Sequence, residues 1–461
     1  MFADQIRILL SYKDYSEWQG GPTMKHSSNL SGKAVYVVDG LRTPFLKAKG
    51  IGPFYASDLA VQAGRSLLKR QTFLPKDLDQ VVIGCVMAGP DEVNIARIIA
   101  LRLGCGDAVP AYTVMRNCAS GMQALDSAAM QIASGRSHLI LAGGTEAMSH
   151  APVLLNQQMV AWLGFWSAAK TFAQKAKLLT QLRPAYFAPV IGLLRGLNDP
   201  IVSLSMGQTA ENLAYQFQIT RQQMDEFANT SHQRVTQAYA AGHMEEVVPI
   251  IDNKGRVYQE DDGYRKDSTI EGLGKLKPFF DRPYGMVTAG NSSQITDGAC
   301  LLVLASAEAV KKYRLPVIGR IIDSQWAGLD PAVMGLGPVY AATPILERQH
   351  LKPKDIDAWE INEAFAAQVL ACLDAWDDPD FCLQELGAKK PCGSPSRSVV
   401  NANGGAIALG HPVGASGARI VLHLLTHLAQ TGGQRGMASI CIGGGQGGAM
   451  YVERITEVTE S

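Results

Sequence analysis

The chain contains the same two short patterns twice, in the same order. In the first, a Pro-Lys-Asp turn leads into an apolar run, at residues 74–83 and again at 353–361. In the second, an apolar run ends in paired glycines, at residues 138–144 and again at 437–444. Each apolar run has the length of a buried strand. The repetition indicates two α/β halves with the same order of elements, and 461 residues exceed what one hydrophobic core usually supports.

The residues between the two halves match neither copy of the pattern. We therefore expect an inserted loop or cap domain from residue 151 to residue 281. The other predicted units are an N-terminal extension (1–30), a first half made of 31–150 and 282–308, and a second half (309–461). Within the insertion, Thr220 and Gln223 form the pattern of a capping box before a helix that should end near Gly242.

The first part of the insertion, residues 151–198, has an unusual charge pattern. It contains five Lys or Arg residues and no Asp or Glu, together with the apolar side chains of Trp162, Phe165, Trp166 and Phe172. A segment of this kind could cover an active site, line an acyl channel, or dock on a partner protein or a membrane surface. It could also be a small cap domain that packs on the core.

Composition and charge argue against several classes of function. Lys plus Arg and Asp plus Glu both number 42, so the formal net charge is zero and nucleic-acid binding is not expected. The eight cysteines include no CxxC pair, and Cys372, Cys382 and Cys392 have no nearby histidine, so no metal site is expected. The apolar run at 6–10 is too short for a signal peptide, and no run of about 18 apolar residues occurs. We therefore expect a cytoplasmic protein.

Cys118 lies where the chain changes from a predicted strand to a predicted helix. The apolar stretch 111–115 precedes it, and the helix-forming residues 119–133 follow it. The positive end of a helix dipole favours the thiolate, which is the nucleophilic form of cysteine. Most cysteines are inert, so this position alone makes Cys118 no more than a candidate nucleophile.

Three further segments carry polar groups in loops or at strand ends. His411 is held between a glycine and a proline in the loop 401–417, where a neutral imidazole could take a proton from a thiol. Cys441 opens a glycine-rich loop whose N–H groups could stabilise an oxyanion or bind phosphate, although the loop lacks the P-loop and GxGxxG patterns. Asn362 follows the predicted strand 358–361 and, taken alone, is most simply interpreted as a helix N-cap.

Together these four segments resemble the signature motifs of the thiolase family. The motifs, in the family's order, are Asn-Cys-Ala-Ser-Gly-Met around Cys118, Asn-Glu-Ala-Phe-Ala-Ala-Gln from Asn362, the segment 401–417 through His411, and Cys-Ile-Gly-Gly-Gly-Gln-Gly from Cys441. Supporting segments at 143–149 and 287–298 also fit. The resemblance extends from about Val35 to Glu453. It implies the family's fold, a duplicated α-β-α-β-α layered α/β architecture.

The resemblance also implies a role for each reactive side chain. Cys118 would be the nucleophile that carries the acyl group as a thioester, and His411 would activate it. Cys441 would act as acid and base on the α-carbon of acetyl-CoA. Two thiols are needed because one must attack a carbonyl and leave again, while the other moves a proton.

The resemblance also assigns residues to two oxyanion holes and to contacts with coenzyme A. Asn362 would hold a water that completes one oxyanion hole with His411, and the backbone N–H groups of Cys118 and Gly443 would form the other. Positions that contact the pantetheine arm of coenzyme A in the family correspond to Ser293, Phe280 and Phe365. Coenzyme A is a substrate in this scheme, and no permanently bound cofactor is expected.

The implied activity is the reversible thiolytic cleavage of a 3-ketoacyl-CoA to acetyl-CoA and a shortened acyl-CoA. The insertion resembles the long-chain branch that forms the β-subunit of fatty-acid oxidation complexes, which favours medium to long chains in β-oxidation. Asn362 and the loop around His411 instead look like those of short- or broad-chain thiolases. A homodimer or homotetramer is expected, and a hydratase/dehydrogenase subunit is a candidate partner.

Three alternatives remain open at this point. One is a biosynthetic acetoacetyl-CoA thiolase, which has the same reactive residues and runs in the condensing direction. Another is a ketoacyl synthase that uses acyl-carrier protein, although that group resembles a Cys-His-His site and Cys441 disfavours it. The third is a non-catalytic subunit that docks a dehydrogenase-type partner, which the intact motifs disfavour.

Overall fold

The structure is a computed structural model that describes residue 30 and residues 32–388 and 390–455. The predicted N-terminal extension therefore lies outside the described residues, except for residue 30. The strands are β1 (Val35–Arg42), β2 (Leu46–Lys47), β3 (Gln80–Gly84), β4 (Ala111–Val114), β5 (Leu139–Ala147), β6 (Val153–Leu155), β7 (Pro189–Ile191), β8 (Ile250–Ile251), β9 (Val257–Tyr258), β10 (Thr296–Ala305), β11 (Gly319–Gly328), β12 (Ala358–Ile361), β13 (Arg435–Ile442) and β14 (Gln446–Glu453).

The α-helices alternate with these strands along most of the chain. They are α1 (Ala56–Lys69), α2 (Ile95–Arg102), α3 (Ser120–Ala133), α4 (Gln157–Ala168), α5 (Phe172–Gln181), α6 (Gly192–Gly196), α7 (Met206–Gln216), α8 (Arg221–Ala240), α9 (Ile270–Gly274), α10 (Ala307–Tyr313), α11 (Gly337–Arg348), α12 (Ala366–Asp377), α13 (Pro379–Gln384), α14 (Ala406–Leu409) and α15 (Val413–Thr431).

The main sheet contains the same four-strand arrangement twice. In the first half the strand order is β3-β5-β10-β1, and in the second half it is β12-β13-β14-β11. In both halves the first pair is parallel and the next two pairs are antiparallel. The Pro-Lys-Asp segments before β3 and β12 both form one 3₁₀ turn. The duplication predicted from the repeated patterns is confirmed.

The two half-sheets enclose a pair of helices. Strands β1 and β11 pair antiparallel and join the halves, while α3 and α15 contact each other and share one apolar core with both half-sheets. Helices α1 and α2 pack on the outer face of the first half, and α11 and α12 pack on that of the second. The result is the predicted series of five layers, in which helices and sheets alternate.

Helices α3 and α15 come into backbone contact because glycines face the crossing. A Cβ atom on Gly121 would lie 2.8 Å from the carbonyl oxygen of Gly414, and one on Gly417 would lie 2.6 Å from a backbone nitrogen of α3. Real Cβ atoms do not approach backbone so closely, so any side chain here would push the helices apart. Cys118 lies just before α3 and His411 just before α15. The crossing therefore directs these two side chains to the same region.

The inserted segment has two parts that pack differently. Helices α7 and α8 contribute residues such as Met224 to the core of the second half, so this part forms a layer of the fold. The capping box at Thr220 starts α8, and the helix ends just before Gly242, as predicted. In residues 151–198, by contrast, Met159 alone is buried.

A group of buried charges joins the insertion to β1 and α15. Arg42 donates hydrogen bonds of 2.7 and 2.8 Å to the carboxylate of Asp261 and lies 3.4 Å from Glu246. Glu246 also pairs with His423 at 2.8 Å. Burial alone would raise the pKa of Glu246, but His423 and Arg42 outweigh it and hold the pKa at about 2. Burial alone would lower the pKa of His423, but Glu246 raises it above the ordinary value.

Replacing Glu246 by glutamine should destabilise the protein most at mildly acidic pH. The stabilisation from a depressed carboxyl pKa is present above the unfolded value of 4.5 and is lost as the pH falls toward 2. The contribution of His423 is complete below its unfolded value of 6.5 and is lost as the pH rises through its higher folded pKa. We expect E246Q to lose on the order of 3 kcal/mol of unfolding free energy near pH 5.5, measured by urea denaturation.

Glu308 provides a matched control because its pKa is also lowered to about 2, mainly by a hydrogen bond from Lys33. This pair is solvent-exposed at 2.6 Å, so water screens it and the substitution E308Q should cost less than about 1 kcal/mol. Equal losses in the two variants, or an E246Q loss that persists undiminished near pH 2.5, would contradict the interpretation of the buried cluster.

Candidate active site

Cys118 lies in the turn between β4 and α3, with its side chain half-buried. The preceding residue, Asn117, adopts a positive φ of 42° and donates a side-chain hydrogen bond of 2.8 Å to the carbonyl of Gly443. This bond ties the turn to the glycine-rich loop after β13. The backbone N–H groups of Gly443 and of Cys118 itself lie close enough to the Cys118 sulfur to lower its pKa. The two N–H groups matched to an oxyanion hole therefore converge at the predicted nucleophile.

The pKa of Cys118 is raised above its ordinary value. Burial of the sulfur is the largest cause, and the N–H groups of Gly443 and Cys118 lower the pKa by less. The backbone groups at the start of the helix favour the thiolate, but their effect on the pKa is smaller than that of burial. The loss of water around the sulfur outweighs the favourable backbone groups. Cys118 is a neutral thiol at rest and needs a base before it can attack.

His411 has the protonation state that such a base requires. It is buried, and this burial lowers its pKa to about 3, so the ring is neutral near pH 7. Its Nδ1 lies 2.6 Å from the hydroxyl of Ser416, which donates to the carbonyl of Pro412 at 3.1 Å. A hydroxyl has one proton, so Ser416 must accept from Nδ1–H, which leaves Nε2 unprotonated. The ring is held in the tautomer that can receive a proton at Nε2.

Asn362 faces this free nitrogen, with its side-chain nitrogen 3.5 Å from His411 Nε2. The interpretation of Asn362 as a helix N-cap is wrong: α12 begins only at Ala366, and the cap position is Phe365. A backbone hydrogen bond of 2.9 Å to Ser439 fixes Asn362 beside β13. Its Oδ1 is buried and has no hydrogen-bond partner among the described residues. This oxygen can accept a hydrogen bond from water or substrate, as a role in an oxyanion hole would require.

The second thiol, Cys441, is buried at the end of β13. Burial raises its pKa far above the ordinary value, and negative charge on Cys118 or Cys372 raises it further. The Cys118 and Cys441 sulfurs are thus close enough for ionisation of one to oppose ionisation of the other. Cys441 therefore holds its proton when Cys118 is ionised, which suits it to act as an acid.

The three residues matched to coenzyme contacts lie together near Asn362. The rings of Phe280 and Phe365 meet edge to face with centroids 5.8 Å apart. The backbone N–H of Ser293 donates to the carbonyl of Ala364 at 2.9 Å. These residues form an apolar wall with backbone polar groups at its edge. Such a wall would suit the pantetheine arm of coenzyme A, which combines apolar segments with two amide groups.

The sequence patterns did not indicate the role of Glu146. Its buried carboxylate accepts backbone N–H bonds from Val86, Met87 and Gly414 at 2.9 to 3.0 Å. Burial raises its pKa to about 7, and these bonds lower it by less. Glu146 thus joins the end of β3 to the first turn of α15, directly behind the site. It belongs to the matched segment 143–149, but nothing in that segment indicates a contact with a residue so distant in the chain.

Asn401 and Glu363 hold the loop of His411 against β12. The side chain of Asn401 bonds both the N–H and the carbonyl of Ile361 at 2.9 Å and donates to Glu363 at 2.8 Å. Glu363 also accepts from Ser231 on α8 at 2.7 Å. Both residues lie in the matched motifs without a predicted role, since a motif does not show which of its polar groups bond to each other.

A duplicated five-layer α/β fold that places a thiol and a neutral imidazole at the starts of two crossing helices, with a second thiol near the first, defines a class of acyl-transferring enzymes. Comparison with protein families gives the particular family. The family model for the thiolase N-terminal domain matches residues 35–308, and that for the thiolase C-terminal domain matches residues 315–454. The chain belongs to the thiolase family of acyl-CoA acetyltransferases.

Similar proteins agree on the family but differ in the substrates that they are named for. The beta-ketoadipyl-CoA thiolase of Pseudomonas knackmussii is 40% identical over 431 residues, which cover 92% of this chain and 100% of that protein. The mitochondrial trifunctional enzyme subunit beta of Bos taurus is 37% identical over 422 residues, covering 91% of this chain and 88% of that protein. The crystal structure of human mitochondrial 3-ketoacyl-CoA thiolase in complex with CoA has a TM-score of 0.80 at 36% identity, over 93% of this chain and 100% of that one.

Replacing Ser416 by alanine should slow the reaction without unfolding the protein. The variant loses the acceptor that fixes the tautomer of His411, and we expect kcat to fall by about 10- to 100-fold with little change in KM. Steady-state kinetics and a thermal melt would measure the two effects. Ser396, which is exposed, provides the control S396A. An S416A enzyme with the original kcat would show that Ser416 does not set the tautomer.

Proposed function

We propose that this protein is a 3-ketoacyl-CoA thiolase that cleaves medium- to long-chain substrates in fatty-acid β-oxidation. The reaction would consume coenzyme A and release acetyl-CoA and an acyl-CoA shortened by one acetyl unit. The observation that carries the thiolase reaction in this proposal is the 2.8 Å hydrogen bond from the Asn117 side chain to the Gly443 carbonyl, which holds the glycine-rich loop after Cys441 beside Cys118.

In the first step, the unprotonated Nε2 of His411 takes the proton of Cys118 as its sulfur attacks the ketone carbon. The tetrahedral intermediate collapses with cleavage of the bond between C2 and C3. The electron pair of that bond goes to C2 and gives the enolate of acetyl-CoA, which takes the proton of Cys441. The acyl group remains on Cys118 as a thioester.

In the second step, the ionised Cys441 takes the proton of an incoming coenzyme A thiol. The resulting thiolate attacks the thioester, the bond between Cys118 and the acyl carbon breaks, and Cys118 recovers its proton from His411. The reverse sequence is Claisen condensation, in which Cys441 removes an α-proton from acetyl-CoA. Both directions use the same groups, as microscopic reversibility requires.

Two sets of donors would stabilise the oxygen atoms that become negative. The N–H groups of Cys118 and Gly443 lie close enough to the sulfur to lower its pKa, so they would be within reach of an acyl oxygen attached to it. The enolate oxygen would be held by His411, once protonated, and by a water bound to Asn362. The buried and unpaired Oδ1 of Asn362 supports this second set.

Coenzyme A would enter along the wall formed by Phe280 and Phe365, with Ser293 at its edge, as a substrate rather than a resident cofactor. Two features support longer chains in β-oxidation. One is the insertion from residue 151 to residue 198, and the other is the 37% identity to the mitochondrial trifunctional enzyme subunit beta. That relative also supports a hydratase/dehydrogenase subunit as partner.

The proposed assembly is a homodimer or homotetramer, and the proposed compartment is the cytoplasm. In the part of the chain that the structure describes, every helix is too short or too polar to cross a bilayer. The proposed domain bounds are those given by the repeated patterns, with the insertion from residue 151 to residue 281 and the second half from residue 309.

One alternative substrate is favoured by a specific finding. The 40% identical relative is named for beta-ketoadipyl-CoA, whose acyl chain ends in a carboxylate. A site for such a chain needs a cationic or hydrogen-bonding end, whereas a long alkyl chain needs an apolar one. Acetoacetyl-CoA, the four-carbon substrate, would need neither.

Substitution of the two thiols should separate the steps of the reaction. C118A should lose at least about 1,000-fold in kcat/KM, because no other group can carry the acyl chain. C441A should still accept an acetyl group from acetyl-CoA on Cys118, visible by intact mass, but should stall at condensation. C392A, which alters a half-buried thiol outside the site, is the control. Normal turnover by the C118A variant would contradict the proposed function.

A substrate series should determine the chain length. We expect kcat/KM for thiolysis to rise by at least about tenfold from 3-ketoacyl-CoA of four carbons to those of ten and sixteen carbons, since each added buried methylene contributes about 0.8 kcal/mol. The loss of 3-ketoacyl-CoA absorbance would follow the reaction. Turnover confined to four carbons would contradict β-oxidation of long chains, and a preference for 3-ketoadipyl-CoA would identify the carboxylate-ended substrate instead.

A further inference from the structure

Residues 151–198 form an outlying unit with very little core of their own. The unit comprises β6, α4, α5, β7 and α6, with a 3₁₀ turn at Pro184–Phe187. Strands β6 and β7 pair with each other, and α4 packs on α5. Of all these residues, only Met159 is buried. The unit is held together by local pairs rather than by a core that it shares with the rest of the fold.

The surface of this unit is strongly apolar. Phe165 is 66% exposed, Phe172 is 88% exposed and Phe187 is 61% exposed. Other exposed apolar side chains of the unit are Val153, Leu154, Leu155, Val160, Leu163, Leu179, Ile191 and Leu194. Aromatic and aliphatic side chains clustered at this density on a surface mark a site of interaction.

Helix α4 shows the same property in its sequence. It carries no charged residue, and a helix that is apolar on all sides is normally buried. Trp162 and Trp166 stack at 5.2 Å, and the indole nitrogen of Trp162 donates to the carbonyl of Leu178 at 3.0 Å. Amphipathic tryptophan side chains of this kind are favoured where an apolar phase meets a polar one.

The charges of the unit all have the same sign. Its charged side chains are Lys170, Lys175, Lys177, Arg183 and Arg195, and no Asp or Glu occurs between residues 151 and 198. All five are exposed. The whole chain is neutral, so these positive charges are a local concentration and not a general property. The occupant of this surface must therefore be both apolar and negatively charged.

We propose that residues 151–198 dock the enzyme on the surface of a membrane that contains anionic phospholipids. The aromatic and aliphatic side chains would enter the boundary between headgroups and acyl chains, and the five cations would pair with the phosphates. A second copy of this chain fits less well. A two-fold interface sets the same surface against itself, so the cations would face each other with no acidic partner within the unit.

Vesicle binding by the full-length enzyme tests the proposal. We expect co-sedimentation with vesicles of phosphatidylcholine containing phosphatidylglycerol, weak binding to phosphatidylcholine alone, and loss of binding as salt is raised. Binding should also shift the tryptophan emission to shorter wavelength, because Trp162 and Trp166 would leave water. Equal binding to both kinds of vesicle, or to neither, would overturn the proposal.

Two pairs of substitutions separate the apolar and the ionic contribution. F165S/F172S and K170E/K177E should each weaken binding to anionic vesicles by at least about tenfold. The matched control is K76E/K354E, which reverses two exposed lysines at equivalent positions of the repeated Pro-Lys-Asp turns. All three variants should keep the turnover of short 3-ketoacyl-CoA, which shows that they are folded.

The same variants distinguish a membrane from a second copy of the chain. If F165S/F172S lowers the molar mass by light scattering and leaves vesicle binding unchanged, the surface is an interface between copies and the proposal is wrong. If K76E/K354E weakens vesicle binding as much as K170E/K177E, the attraction belongs to the whole molecule and the proposal also fails. The proposal does not depend on chain length, so it can fail while the thiolase assignment stands.

Discussion

The contact between the first turns of α3 and α15 determines where the reactive groups meet. The two helices come from opposite halves of the chain, and only glycine at positions 121 and 417 allows their backbones to touch. Gly144 of β5 faces the same contact, so a side chain there would also displace α15. Because Cys118 and His411 immediately precede the two helices, their relative position is set by packed backbone. A packed backbone is less adaptable than any arrangement of long side chains.

Burial at this contact keeps every reactive group neutral before substrate binds. It raises the pKa of Cys118 and Cys441 and lowers that of His411 to about 3. Forming an imidazolium there would cost on the order of 5 kcal/mol relative to water, so a resting thiolate–imidazolium pair is disfavoured. In the proposed mechanism, the proton leaves Cys118 as the new bond to carbon forms, and the N–H groups of Cys118 and Gly443 stabilise the charge that develops on the carbonyl oxygen.

The repeated patterns were sufficient to predict the duplicated sheet, because strand length and turn residues are local properties of the sequence. The motifs were sufficient to select Cys118, His411 and Cys441 as candidates, since each stands at a strand end or in a glycine-rich loop. The position of Cys118 before a helix did not indicate its raised pKa, because desolvation depends on residues from the other half. Asn362 was interpreted as an N-cap for a similar reason: its partner Ser439 lies on β13, and this pairing is visible only after folding.

The insertion shows that composition can predict an interaction surface more reliably than it predicts the bounds of a domain. Residues 151–281 were predicted as one unit, yet α7 and α8 complete the core of the second half and Ser231 of α8 supports Glu363 beside the site. Residues 151–198 support nothing in that core. Their charges are all positive and their aromatic residues are numerous, and both properties can be seen in the sequence. Neither property depends on residues that are distant in the chain. Helices α7 and α8 of the insertion therefore belong to the fold that positions the site, whereas residues 151–198 are available for contacts outside the molecule.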